Sequence, residues 1–233
     1  SKDAQAAQKL RERAVRLYQR AQRHAMTALE QQQPGFAVAL ASPIPANWPR
    51  LRPEQVDLAY WAAASWGGLI ALSKDQPKTV ADLPLAIRLA QLAYQTAPQH
   101  GHGALASLLG SFEAARPDGS RQQAARYFDE AIALNKRDFD MRFAKAQILM
   151  AEGQWTQAMD ELLEIIMRDR KWNEDAARKT YVAILELLTP PPPKGGVQAD
   201  GKSAGGIELT GKAANAGADP QAELLSSYRR KLS

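Results

Sequence analysis

The sequence predicts an all-α fold in which helical hairpins stack side by side into a superhelix, an α-solenoid. Three observations carry that reading. Apolar residues return at intervals of three and four along most of the chain. Sustained period-two alternation of Val, Ile or Thr, the mark of half-buried strands, is absent. One spacing, Ala86, Ala90 and Ala93, comes back as Ala124, Phe128 and Ala131 after 38 residues, and as Ala158, Leu162 and Ile165 after another 34.

The first helix is expected over Ala4 to Gln32, with Leu10, Ala14, Leu17, Ala21, Ala25 and Ala28 on its inner face and Arg11, Arg16, Arg20 and Arg23 outside. Pro34-Gly35 stops it. Pro43, Pro45 and Pro49 lack a backbone donor and disfavour helix at the residue before each, so 36–52 reads as a connector with one short helix. Pro53-Glu54 suits the opening of the next helix, because Pro fits a first turn and a carboxylate favours the positive dipole end. That helix carries Tyr60, Trp61 and Trp66. Its uncharged stretch, Leu58 to Ser73, falls short of the roughly 20 residues that cross a bilayer and reads as a buried core helix.

The repeated spacing marks the second helix of each hairpin, small where two helices cross closely and larger where the next hairpin must be covered. Pro98 closes the first copy, and the period is that of tetratricopeptide repeats. Lys136 stands at the corresponding place in the second copy. The helix before the third copy is expected over Phe139 to Ala151, followed by Gly153 in the turn and Trp155 at the start of the second helix. From Pro190 to Pro220 the Pro, Gly, Ala and Lys content leaves too little large apolar surface to offset the entropy of ordering it. The expected organisation is therefore a repeat domain over 1–189, a flexible excursion over 190–222, and a helix over 223–233 that docks back through Leu224, Leu225 and Tyr228. About five helix pairs are expected, the first helix closing one end and the last segment the other.

Composition narrows the chemistry. The 233 residues are 45% hydrophobic and 24% charged, enough to bury a core. There is no Cys, which excludes disulfides, thiolate zinc sites and Cys nucleophiles within this sequence. The net charge is +5, but 30 basic and 25 acidic residues are interspersed without a dense basic block, so no nucleic-acid partner is expected. The chain opens Ser1-Lys2-Asp3 without Met, which reads as a processed or truncated form, any targeting segment lying outside it.

Candidate chemistry is sparse. His100 and His102 stand two apart between glycines, too few converging ligands for a metal site, and read as a solvent-facing loop. Ser65 lacks the Gly-x-Ser-x-Gly frame and the strand that would strain a nucleophile. Lys74-Asp75 reads as the polar end of the helix before it, Lys beside the negative dipole terminus. The carboxylates of 152–170 alternate with arginines at pairing intervals and suggest no acid–base pair. No catalytic residue, metal or cofactor is expected. Tyr60, Trp61 and Trp66 beside small Ala and Gly are the candidate ligand-binding residues, lining an apolar recess rimmed by ring donors, with plain core packing as the alternative.

Two stretches carry family resemblances. Leu17-Tyr18, Ala28-Leu29-Glu30, Pro34-Gly35-Phe36, Tyr60 to Gly68, Leu72 to Asp75, Ala81 to Pro84, Gly103-Ala104-Leu105 and Arg116-Pro117 resemble the T component of tripartite ATP-independent periplasmic (TRAP) transporters, over roughly residues 10–135. The resemblance implies a periplasmic, lipid-anchored helical-repeat protein that associates with the substrate-binding P component, forms a trimer and holds an apolar small molecule in a cleft or pore. Membrane contact would come only through an anchor outside this chain. Leu162 to Ile165, Arg168-Asp169-Arg170, Asp175 to Lys179 and Tyr228 to Ser233 are similar to the C-terminal repeats of chaperedoxin-type co-chaperones, without the thioredoxin half. The expected function is a non-enzymatic accessory protein of a TRAP-type transporter. The alternative is a general tetratricopeptide adaptor, or a co-chaperone-like binder of polypeptides.

Overall fold

The computed structural model describes residues 2–190 and 220–232. Every regular element among them is helical: α1 (Lys2–Gln32), α2 (Phe36–Ala41), α3 (Val56–Leu72), α4 (Pro77–Val80), α5 (Leu83–Thr96), α6 (Ala104–Ala115), α7 (Arg121–Leu134), α8 (Phe139–Ala151), α9 (Trp155–Arg168), α10 (Trp172–Leu188) and α11 (Pro220–Leu232), with short 3₁₀ turns at Pro45–Asn47, Pro53–Gln55 and His100–Gly103. The all-α expectation holds. The chain divides into two compact units, Ser1–Ile148 and Leu149–Ser233.

In the first unit α3 is the central helix and packs against α1, α5 and α6. Its inward positions Ala59, Ala62 and Ala63 are fully buried, and their small side chains let neighbouring backbones approach. Gly68 faces the ring of Tyr18 on α1, and Gly67 faces Phe112 on α6; an added Cβ would come within 2.8 Å and 2.7 Å of those rings. The repeated alanines Ala86, Ala90 and Ala93 of α5 are all at zero exposure, as are Ala124 and, in the second unit, Ala158, Leu162 and Ile165. Consecutive helices pair as α6 with α7 and α9 with α10.

The inner face of α1 differs from the expected one. Leu10, Leu17 and Ala21 are exposed, while Ala25 and Leu29 are buried and Met26 packs against the core. The true stripe runs Val15, Tyr18, Gln22, Ala25, Leu29, with Tyr18 over Gly68 of α3 and the two leucines outside the contact. Arg11, expected in solvent, turns back: its Nε and Nη2 donate to the Leu72 carbonyl at 2.9 and 2.5 Å, and Nη2 lies 3.4 Å from Asp75. Arg11 therefore supplies a cation at the negative end of α3.

The connector is more ordered than a loop. Phe36 and Leu40 of α2 are buried, and Glu30 accepts from the Gly35 and Ala37 amides at 2.6 and 2.9 Å, closing the turn in which Gly35 takes a φ of 85°. Those amides hold the Glu30 carboxyl below its ordinary range. Arg88 of α5 donates to the Leu40 and Ser42 carbonyls and stacks over Trp48 at 4.2 Å.

In the second unit α11 lies against α9 and α10. Leu225 and Tyr228 are buried, whereas Leu224 is 40% exposed, so only two of the three expected residues face inward. The Tyr181 hydroxyl donates to the Tyr228 carbonyl at 2.9 Å, and the Tyr228 hydroxyl donates to Asp160 at 3.0 Å. The expected excursion over 190–222 falls almost wholly outside the described residues.

Candidate functional site

The candidate residues Tyr60, Trp61 and Trp66 all lie on α3, but the helix turns them in different directions. Trp66 follows Ala59, Ala62 and Ala63 on the inner face and is 7% exposed within the main core. Trp61 points away from that face and is 57% exposed. Tyr60 sits between these extremes, packed against the core at one side. Its ring meets Trp61 edge-on, with centroids 5.2 Å apart and planes at 69°.

A histidine completes the group. His100, in the turn after α5, has its ring centroid 6.0 Å from that of Tyr60, and its Nε2 lies 3.4 Å from the Asp57 carboxylate one turn earlier on α3. The expected solvent-facing loop is thus half right: His102 is exposed, but His100 is partly covered and reaches across to α3. Burial pushes the Tyr60 hydroxyl above its usual range, helped by the negative charges of Asp138 and Asp57. The phenol stays protonated at neutral pH and offers a donor at the edge of an aromatic surface.

Sequence spacing could not reveal the part played by His100. It stands 40 residues after Tyr60, and only the return of the chain between α5 and α6 brings it back. Ser65 is buried and its hydroxyl is engaged with the Trp61 and Ala62 carbonyls at 2.5 and 3.1 Å, inside the helix's own backbone. Among the described residues no group of three or more His, Asp or Glu side chains is placed to hold a metal ion. Tyr60 and Trp61 thus form an aromatic edge on α3, with His100 beside Tyr60 and in reach of Asp57.

A family model for the TRAP transporter T-component matches residues 1–175. The chain belongs to that family. The match contains all of the aromatic group and runs 40 residues beyond the limit of 135 expected from the sequence, through α8 and α9. Membership makes the protein an accessory component of a TRAP transporter, in a family of transport proteins rather than a known family of enzymes. No curated protein matches the chain. No helix among the described residues is long and apolar enough to cross a membrane.

Proposed function

We propose that this T-component works at the periplasmic face of its transporter, tethered by a lipid anchor, and docks the solute-binding P component through the patch formed by Tyr60 and Trp61. An apolar solute is held at the same patch, with Trp66 as packing behind it, and the working form is a trimer. The hairpins α6–α7 and α9–α10, with their repeated small residues, support a tetratricopeptide-like repeat as the scaffold. The observation that carries the reading is Trp61: a large ring 57% exposed, edge-on to Tyr60, which has His100 beside it. An exposed indole on a rigid helix is the kind of anchor that dominates protein interfaces.

The test is capture of the purified P component together with native mass spectrometry of the full chain. Trp61→Ala is expected to weaken capture at least tenfold with an unchanged melting temperature, and the parent protein is expected to fly as a trimer retaining a small apolar molecule. Trp66→Ala should instead cost about 3 kcal/mol of stability, as for other buried large-to-small changes. Equal capture by Trp61→Ala and parent overturns the docking patch. Failure to capture the P component, with binding of unfolded polypeptide instead, replaces the reading with the adaptor.

A further inference from the structure

The outer face of α1 is strongly one-sided in charge. Between Lys9 and His24 the sequence holds Lys9, Arg11, Arg13, Arg16, Arg20 and Arg23 against a single acid, Glu12. Arg11 is engaged at the end of α3, and Glu12 accepts from Gln8 at 3.0 Å. Arg13, Arg16, Arg20 and Arg23 are exposed. Intervals of three and four set them on the side of the helix away from the Val15, Tyr18, Gln22, Ala25, Leu29 stripe. They span about 15 Å of helix. Leu10, 65% exposed, and Leu17, 46% exposed, stand among them two turns apart. The arginines and Leu17 border a shallow trough of about 420 Å³.

We propose that this face of α1 lies on an anionic lipid surface, the guanidinium groups on headgroup phosphates and Leu10 and Leu17 at the level of the acyl boundary. The charge calls for a dense array of anions along a straight line. Guanidinium matches phosphate with a fork of donors. A stable protein interface is built around an apolar, aromatic centre depleted in charge, and this face has only two leucines within a row of cations. Attraction of the arginines to anionic headgroups, with the small apolar area of Leu10 and Leu17, supplies the two contributions on which peripheral membrane binding depends. The packed stripe on the other side keeps α1 in the fold while the outer face makes contact, so binding requires no unfolding. The proposal is independent of the Tyr60–Trp61 patch.

The probe is sedimentation of the full chain with phosphatidylcholine vesicles containing a third phosphatidylglycerol, against pure phosphatidylcholine, at low and high salt. Binding is expected only to the anionic vesicles and is expected to fall steeply with salt. Near such a surface each cation is worth about fivefold, so the fourfold variant Arg13→Gln, Arg16→Gln, Arg20→Gln, Arg23→Gln should bind about a hundredfold or more weakly. The matching fourfold Arg→Lys variant should retain most of the binding, and circular dichroism should show both variants as helical as the parent. Leu10→Ser with Leu17→Ser should weaken binding without removing its salt dependence. Equal binding to both vesicle types, or equal binding by parent and Gln variant, overturns the proposal. So does vesicle binding that is absent while the Gln variant loses capture of the P component, which would assign the face to an acidic protein.

Discussion

Gly110 and Gly68 both lie beneath an aromatic ring, yet they should respond in opposite ways to alanine. At Gly110 an added Cβ would come within 2.6 Å of Phe128, a ring 2% exposed and walled in on α7. Gly110→Ala is expected to destabilise the protein by about 1–3 kcal/mol through overpacking. At Gly68 the ring is Tyr18, 40% exposed and able to swing toward solvent. The roughly 1 kcal/mol gained by replacing a helical glycine should then leave Gly68→Ala neutral or stabilising. Thermal melts of the two variants check the contrast. Alanines at small-residue positions were legible from spacing alone, whereas these glycine contacts were not, because they depend on which helix arrives opposite.

Helices were easier to read than their faces. α8 runs over Phe139–Ala151 as its sequence suggests, and α1 ends at Gln32 where Pro34-Gly35 interrupts it. The rotation of α1 is not legible in the sequence, because both sides carry apolar residues at helical intervals, and leucines at 10 and 17 outweigh alanine and glutamine. The arrival of α3 decides it: Ala25 and Leu29 are buried and Tyr18 lies over Gly68, which leaves the leucines outside. Removing the cation from the end of α3 with Arg11→Ala should cost about 1 kcal/mol, measured by denaturant titration, while Lys74→Ala should cost nothing measurable. The turn between α1 and α2 should be acid-sensitive. Glu30 titrates below its ordinary value of 4.5, so its contribution is present above that pH and is lost as the pH falls through the lowered value. Glu30→Gln should flatten the acid limb of the stability profile.

On the scale of the whole chain, alkaline titration reaches both units. Tyr94, whose hydroxyl donates to Glu130 at 2.6 Å, and Tyr181 and Tyr228 are each pushed up to about 12, chiefly by burial. Their protonated forms favour the folded state. That stability is complete below the ordinary 10.0 and is lost as the pH climbs from there through about 12. Denaturant midpoints across this range should fall, and Tyr228→Phe should reduce the fall while costing about 1 kcal/mol at neutral pH for the lost bond to Asp160. The family was legible in motifs spread over the first unit, and the aromatic pair could be named from sequence. Its geometry could not, because His100 and Asp57 meet only after α5 has been laid down.

The phenol of Tyr228 holds Asp160, and its carbonyl receives Tyr181, so residues on either side of position 175, where the family match ends, share one hydrogen-bonded knot. Grafting experiments between relatives must therefore move the tail together with α9 and α10. A chimera cut at residue 175 would separate Asp160 from the phenol that donates to it.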